Sequence, residues 1–446
     1  MFQDTICALA TPSGAGALGI IRVSGHDSLE IVNKIFKGKD LTKAKTHSVH
    51  YGYIMDNKEM IDEVLVSVFL APKTFTTENL VEISCHNSPY IIQKIIDLLI
   101  KNGSRAALAG EFTQRAFLNG RIDLSQAEAV ADLIASENKA SHDTALKQMR
   151  GGITTELQKL REELINFTAL IELELDFSEE DIEFANRNEL NSLVQNLKFK
   201  IQNLIKTFEY GNALKNGVPV VIAGKPNAGK SSLLNALLKE NRAIVSHTPG
   251  TTRDTIEESI TLDGIKFRFI DTAGLRQTDD IIESEGVERA KEKISEAKIV
   301  IHLYEKDLEV LEEIKTLLEG KIVFNLASKS DINQQVISSA NEHFDFPISV
   351  KTGENLEKLK TELVNSVKEN IDDNSLIITN LRHKTELENA LEALNNVENG
   401  LQQGLTGDLL AFHLRNALKH LGNITGEIDI DKDILGTIFG KFCIGK

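Results

Sequence analysis

The sequence predicts a multidomain protein of the α/β and α classes, with an α+β domain first and a phosphate-binding α/β module inserted into a helical domain. The pattern G-x-x-x-x-G-K-[ST] occupies residues 224–231, between an apolar run typical of a buried strand and a leucine-rich helical segment. Apolar stripes with helical spacing lie on both sides of that module. At 446 residues, the chain is also too long for a single hydrophobic core.

The composition is typical of a soluble globular protein. Apolar residues make up 41% of the chain and charged residues 26%, and no apolar stretch is long enough to span a bilayer. The first residues lack the layout of a signal peptide. The cysteines have no C-x-x-C spacing, which argues against a disulfide scaffold or a structural zinc site; they are Cys7, Cys85 and Cys443. We therefore expect a cytoplasmic protein with no membrane partner.

The net charge of −16 constrains the possible partners. A protein that binds nucleic acid through its overall field should be basic. Any contact with RNA therefore requires a local basic patch or a more basic partner.

Residues 1–117 are predicted to form a compact α+β domain. Apolar periodicity predicts two helices and four strands; the helices are at 27–36 and 90–100, and the strands at 5–10, 20–23, 64–70 and 80–84. The Gly-x-Gly turn at residues 14–16 lacks the rest of a dinucleotide fingerprint, so it is interpreted as an ordinary tight turn.

Residues 118–212 and 373–446 are predicted to be two parts of one helical domain. Apolar residues recur at steps of three and four along 157–171, 190–208 and 387–397. Ser125 and Glu128 have the spacing of a capping box. Residues 213–372, between the two parts, are predicted to be a Ras-like P-loop module, since exposed loops tolerate domain insertions best.

The glycine loop predicts binding of a nucleoside triphosphate. Its glycines let backbone N–H groups approach a polyphosphate, and the following helix N-terminus adds positive potential. Lys230 is expected to reach the β- and γ-phosphates, and the Ser231 hydroxyl to bind Mg²⁺.

Two stretches after the loop have the order of a switch that senses a γ-phosphate. Thr252, in a polar loop, can complete the Mg²⁺ shell when that phosphate is present. The D-x-x-G stretch follows a predicted strand, so that Asp271 can hold the metal through water and the Gly274 N–H can contact the γ-phosphate.

A third stretch favours guanine as the base. After a predicted strand, Asp331 is expected to accept hydrogen bonds from guanine N1–H and the exocyclic amine, while Lys329 packs over the base. The segment 349–351 would close over the O6 side. Ser328 occupies the position where asparagine is usual, so one amide donor is missing and weaker base affinity is expected.

The hydrolytic residue is unusual. Ras-like proteins place a glutamine directly after D-x-x-G to orient the attacking water, whereas this chain has Leu275. Water must be positioned by another group, for which Glu283 is one candidate. Charge must be stabilised by an arginine finger or an ion.

Several stretches together resemble one family, the tRNA modification GTPases called MnmE or TrmE. They run from the first strands to the last residue, and the terminal pentapeptide beside a GTPase module is the most specific of them. The matching stretches are 19–25, 110–120, 123–129, 227–232, 271–276 and 442–446.

This resemblance implies a fold, a reaction and a set of partners. It implies a homodimer with an N-terminal domain that binds folate and dimerises, a split helical domain and an inserted GTPase domain. With a flavoprotein partner, MnmG (GidA), such proteins install an aminomethyl or carboxymethylaminomethyl group on C5 of the wobble uridine, position 34, of certain tRNAs. The one-carbon unit would come from a tetrahydrofolate derivative, 5-formyl- or methylene-tetrahydrofolate, and K⁺-dependent GTP hydrolysis would drive the cycle.

The resemblance also assigns site residues. It makes Glu283 the water-positioning catalytic residue, and Ser231 and Thr252 the Mg²⁺ ligands. The K⁺ ligands would be Asn227, Ser246, Thr248 and Thr251, with the cation acting as an arginine finger does. The folate contacts would be Arg22, Glu82, Arg121 and Lys446. The nucleotide contacts would be Asn227, Ala228, Gly229, Lys230, Ser231, Ser232, Ser246, His247, Thr248, Pro249, Gly250, Thr251, Thr252, Asp271, Thr272, Ala273, Gly274, Lys329 and Asp331.

The sequence departs from the family pattern at two places. Ser328 replaces asparagine, and residues 86–88 read His-Asn-Ser in place of His-Gly-Gly near the expected folate pocket. Two other functions stay open from the sequence: a ribosome-assembly GTPase, and a GTP switch that docks partners without chemistry of its own.

Overall fold

The structure is a computed structural model, and it describes residues 4–12, 14, 16–176, 186–225, 227–240, 258–270, 292–304, 316–332, 345–368 and 376–426. The chain forms two compact units. The first comprises residues 1–135, 145–197 and 389–446, and the second comprises 136–144 and 198–388. The domain boundaries drawn from the sequence remain predictions.

The first unit begins with a seven-stranded sheet. Its strands are β1 (Thr5–Leu9), β2 (Leu18–Ser24), β3 (Phe36–Lys37), β4 (Ser48–Asp56), β5 (Glu59–Phe69), β6 (Leu80–His86) and β7 (Ser104–Ala106). Their spatial order is β3-β4-β5-β6-β2-β1-β7, and only the β1–β7 pair is parallel. The four strands expected from the sequence are confirmed as β1, β2, β5 and β6. The strand β4 was not predicted, because its polar and aromatic residues show no clear period of two.

One face of this sheet is buried, and the opposite face is exposed at β4 and β5. The helices α1 (Ser28–Ile35) and α2 (Pro89–Lys101) share a core with residues of one face, including Val66. On the opposite face, Val49, Tyr51 and Leu65 are 61%, 55% and 48% exposed. Alternation along β4 and β5 therefore places large apolar side chains on a solvent-facing surface.

A buried charge network holds the helix α3 (Glu111–Leu118) against the sheet. Arg115 is fully buried and donates to the Asp4 carbonyl and to the carboxylates of Glu78 and Glu111. Burial alone would raise the pKa of Glu111, but hydrogen bonds, chiefly from Arg105, outweigh it and hold that pKa below its ordinary value. A buried carboxylate is stable only with such partners, so the network fixes the loop that carries Glu78.

The capping box that begins α4 (Leu124–Ala135) is two residues earlier than the sequence suggested. The Asp123 carboxylate accepts from the backbone N–H of Gln126 at 2.8 Å, and the Gln126 side-chain oxygen accepts from the Asp123 N–H at 2.9 Å. Ser125 lies inside the helix and donates to Asp123. The expectation of a Ser125–Glu128 box is therefore wrong, because aspartate is an equally good N-cap and lies nearer the turn.

A series of helices follows, and Gly152–Asp176, Arg187–Lys206 and Leu381–Gln403 lie where the apolar stripes predicted helices. They are α5 (Lys139–Met149), α6 (Gly152–Asp176), α7 (Arg187–Lys206), α8 (Phe208–Asn216), α9 (Lys230–Glu240), α10 (Leu356–Lys368), α11 (Leu381–Gln403) and α12 (Gly407–Thr425). In the first unit, α12 packs along α6. The stripe expected at 190–208 covers two helices, because α7 ends at Lys206. Among the described residues, none of these helices is both apolar and long enough to cross a bilayer.

The second unit contains a six-stranded sheet in the order β13-β12-β11-β8-β10-β9. Its strands are β8 (Val218–Gly224), β9 (Glu258–Leu262), β10 (Ile265–Phe269), β11 (Ile299–Tyr304), β12 (Ile322–Ser328) and β13 (Phe346–Ile348). All neighbours are parallel except the β9–β10 hairpin. Parallel strands end at one edge of a sheet, which is where ligands bind in α/β folds.

Candidate nucleotide site and N-terminal cavity

The glycine loop leaves the centre of the second sheet. β8 pairs with β10 on one side and β11 on the other, and it ends at Gly224. Gly224 has φ of +149°, and a Cβ there would lie 2.4 Å from the Leu303 carbonyl oxygen. Only glycine permits this approach of the loop to β11.

Lys230 begins α9 and folds back over the loop. Its Nζ donates to the carbonyl oxygens of Gly224 and Lys225 at 2.8 and 2.9 Å. Burial lowers the pKa of this ammonium group. A partly desolvated cation held over a glycine loop is suited to a polyphosphate, which supplies the anionic partner that burial favours.

The first turn of α9 is built against the core. Leu233 and Leu237 are fully buried, and the Leu233 N–H donates to Gly229 at 2.8 Å. Asn227 has φ of +65° and is exposed in the loop just before the helix. The helix N-terminus, with Ser231 in its first turn, is therefore fixed in position beside the loop.

The expected base-reading residues lie at the carboxyl ends of β12 and β13. The carboxylate of Asp331 accepts from the Ser349 hydroxyl at 2.8 Å, and Lys351 Nζ lies 3.9 Å from it. Lys329 has φ of +57°, so the chain turns sharply between the strand and Asp331. The structure thus brings together Asp331 and the segment 349–351, and their contacts with guanine remain predictions.

A second pair of contacts joins the same two loops, and sequence reasoning missed it. The Ser330 hydroxyl donates to the Glu354 carboxylate at 2.5 Å, and the Ser330 N–H donates to the Ile348 carbonyl. Ser349 forms a bridge with Glu354 through their backbones. In the sequence, only the Ser-x-Lys-Thr-Gly-Glu run after a short strand could have indicated these contacts. These contacts hold together the two loops that carry Asp331 and Ser349.

The first unit contains a cavity of about 460 Å³, lined by Phe69, Pro72, Lys73, Thr74, Phe75, Leu80, Glu82 and Arg121. Two of the predicted folate contacts, Glu82 and Arg121, are among these residues. The Arg121 guanidinium donates to the Thr74 carbonyl at 2.7 Å and lies 5.2 Å from the Phe75 ring centroid.

Arg22 reaches the same cluster from β2. It makes two hydrogen bonds to one Glu82 oxygen, at 2.9 and 2.8 Å, across the β2–β6 register. It also lies 5.7 Å from the Phe75 ring. Phe75, which the sequence analysis missed, therefore has guanidinium groups from two residues near its ring.

Many predicted site residues lie outside the described part of the chain. They are Ser246, His247, Thr248, Pro249, Gly250, Thr251, Thr252, Asp271, Thr272, Ala273, Gly274, Glu283 and Lys446. Among the described residues, no group of three or more His, Cys, Asp or Glu side chains could hold a metal ion.

The parallel sheet, the glycine loop and the fixed helix N-terminus define a P-loop nucleotide-binding protein. The model of the MnmE helical domain matches residues 124–443, and the model of the GTP-binding protein TrmE N-terminus matches residues 5–121. The chain belongs to the MnmE family of tRNA modification GTPases, and it is accordingly a GTP-hydrolysing enzyme.

Relatives match the chain from end to end. The tRNA modification GTPase MnmE of Christiangramia forsetii is 53% identical, covering 100% of this chain and 99% of its own. The proteins of the same description from Flavobacterium johnsoniae and Bacteroides fragilis are 49% and 48% identical, with coverage of 99% or more of each chain.

Solved structures resemble one part of the chain. The G domain of the T. maritima FeoB iron transporter is 28% identical over 33% of this chain and 97% of its own, with a TM-score of 0.24. The FeoB G-domain of Methanococcus jannaschii is 20% identical over 34% and 98%, with the same score. Both scores are low, so the family assignment depends on the sequence matches.

Proposed function

We propose that this GTPase acts on certain tRNAs together with a flavoprotein partner of the MnmG type. The pair would install an aminomethyl or carboxymethylaminomethyl group at C5 of the wobble uridine. The end-to-end relationship to proteins described as tRNA modification GTPase MnmE, 53% identical in one case, is the observation that carries this proposal.

Mass spectrometry of tRNA nucleosides tests it directly. Cells lacking this protein should lose the C5-modified wobble uridines, and wild-type protein should restore them. Lys230→Ala should not restore them, because GTP binding would fail. Unchanged nucleosides in the deletion strain would contradict the proposal.

GTP would bind with its phosphates over the glycine loop and its base at Asp331. Support comes from the Lys230 amine held over the loop and from the carboxylate fixed by Ser349. Mg²⁺ would be held by the hydroxyls of Ser231 and Thr252, where it neutralises phosphate charge. Asp331 would accept hydrogen bonds from the guanine N1–H and exocyclic amine.

Hydrolysis would depend on K⁺ and Glu283 in place of the usual glutamine. The cation would be held by oxygens of Asn227, Ser246, Thr248 and Thr251, and it supplies positive charge beside the phosphates. The exposed, left-handed Asn227 offers a side-chain oxygen at the loop. Glu283 would orient the attacking water.

Replacing K⁺ by Na⁺ should slow GTP hydrolysis at least about tenfold, because a smaller ion fits the same oxygens poorly and charge stabilisation is lost. Asn227→Ala should show the low rate in both salts. Single-turnover assays with each chloride salt measure this. Asn235→Ala, on the exposed side of α9, should keep the K⁺ preference. Equal wild-type rates in both salts would eliminate the assigned cation site.

The N-terminal cavity would bind a tetrahydrofolate derivative, 5-formyl- or methylene-tetrahydrofolate. Glu82 can accept from the N–H groups of a pterin ring, while Arg121 and Lys446 can pair with the glutamate carboxylates. The two hydrogen bonds that Arg22 donates to one Glu82 oxygen orient Glu82, so Arg22 would act on the ligand partly through that carboxylate. The aromatic wall at Phe75 suits a planar ring.

Arg121→Met should lower the affinity for 5-formyl-tetrahydrofolate about tenfold or more, because a charge-assisted hydrogen bond to a carboxylate is lost. Isothermal titration with the full chain measures this. Arg150→Met, an exposed residue at the end of α5, is the matched control and should bind like wild type. If both variants bound 5-formyl-tetrahydrofolate equally well, Arg121 would not be a folate contact.

The exposed apolar face of β4 and β5 supports a homodimer. Val49, Tyr51 and Leu65 form a patch of the kind that a second copy would cover. The net charge of −16 supports sharing the tRNA with a partner that supplies the basic surface. A cytoplasmic location fits these partners.

A further inference from the structure

Ser328 is the last residue of β12 and stands where guanine-binding P-loop proteins commonly have asparagine. It is 6% exposed, and its hydroxyl donates to the Tyr304 carbonyl at the end of β11, at 3.2 Å. β11 and β12 are parallel neighbours, and Tyr304 pairs with Ala327 in their register. The hydroxyl proton is therefore used in a hydrogen bond to the end of the neighbouring strand.

The chemistry of the two side chains decides what position 328 can contact. An asparagine amide carries two N–H donors and one acceptor, so it can bond to the protein and still donate to a ligand. A serine hydroxyl has one proton, and here Ser328 donates it in a hydrogen bond to the Tyr304 carbonyl. The serine side chain is also shorter. Guanine N7 is a hydrogen-bond acceptor, so a contact with it requires a donor. Ser328 does not supply that donor, because its only proton is already donated to Tyr304.

The residue expected to contact the Watson–Crick edge of the base, Asp331, has more contacts that hold it in place. Asp331 is held by Ser349, and the Ser330–Glu354 contact joins the same two loops. The carboxylate is thus held in position to accept hydrogen bonds, while the Ser328 hydroxyl already donates to Tyr304.

We propose that Ser328 leaves guanine N7 without a donor from position 328, so that this enzyme selects guanine through the Watson–Crick edge. The inference rests on the proposal that Asp331 reads the base. It means that guanine analogues lacking the N7 acceptor bind as tightly as guanine nucleotides, and that asparagine at position 328 creates the missing discrimination.

The test uses GDP and 7-deaza-GDP, in which carbon replaces N7 and the Watson–Crick edge is unchanged. Competition against a fluorescent GDP analogue gives both dissociation constants for the full chain. The wild type should bind the two within about twofold. Binding of 7-deaza-GDP fivefold or more weaker than GDP would overturn the proposal, and it would leave the assignment of Asp331 untouched.

Two variants sharpen the result. Ser328→Asn should bind GDP about three- to tenfold more tightly while keeping the wild-type affinity for 7-deaza-GDP, as expected for one added hydrogen bond. Ser328→Ala should keep the ratio near one. Ser192→Asn, the same change on the exposed face of α7, should match the wild type. Equal affinities of Ser328→Asn for GDP and 7-deaza-GDP, with the variant folded, would also overturn the proposal.

Discussion

Lys230→Ala should abolish GTP turnover and weaken GTP binding at least about a hundredfold. The Lys230 amine is held 2.8 and 2.9 Å from two loop carbonyls, in a partly buried position beside the helix N-terminus. Charge-assisted hydrogen bonds to the β- and γ-phosphates contribute about 3 kcal/mol or more in such a setting. At 1.4 kcal/mol per tenfold, their loss gives an effect of this size.

Equilibrium binding of a fluorescent GTP analogue and phosphate release under single-turnover conditions measure this effect. Lys239→Ala is the matched control, because it removes an exposed lysine from the other end of α9. It should keep wild-type affinity and rate. The fold should survive in both variants, since burial already lowers the pKa of Lys230 and disfavours its charge in the absence of an anion. Near-normal affinity in folded Lys230→Ala would refute the glycine loop as the phosphate site.

Asp331→Asn should exchange guanine for xanthine as the preferred base. The wild-type carboxylate, held by the Ser349 hydroxyl at 2.8 Å, accepts from guanine N1–H and the exocyclic amine. An amide presents a donor where the carboxylate accepted, and xanthine carries a carbonyl oxygen in place of that amine. A site that hydrogen-bonds a polar group strongly rejects analogues that mismatch it. GTP affinity should therefore fall about a hundredfold or more, and XTP affinity should rise by a similar factor.

Competition binding with GTP and XTP measures both changes. Asp263→Asn is the control, since Asp263 lies in the β9–β10 turn, pairs with Lys368 and has the positive φ that asparagine tolerates. It should leave the base preference unchanged. Retained GTP preference in folded Asp331→Asn would show that another group reads the base.

The sequence by itself determined the parts of the site that are local. The strand, loop and helix around residues 224–231 follow from one continuous pattern, and Asp331 follows from its place after an apolar strand. The long helices follow from apolar spacing, because helical hydrogen bonds join residues four apart. The boundary at α4 did not follow, since Asp123 and Ser125 both satisfy the local capping pattern and only the fold selects Asp123.

Only the tertiary structure decided which distant residues meet. The Arg22–Glu82 pair depends on the register of two strands 60 residues apart, and the cavity beside it needs the loop that carries Phe75. The Ser330–Glu354 contact likewise joins two strand ends. Register and strand order are set by burial across the whole sheet, so no local spacing encodes them. The sequence showed that residue 328 is a serine and lacks an amide. Only the folded chain showed that its hydroxyl donates to the Tyr304 carbonyl on the neighbouring strand.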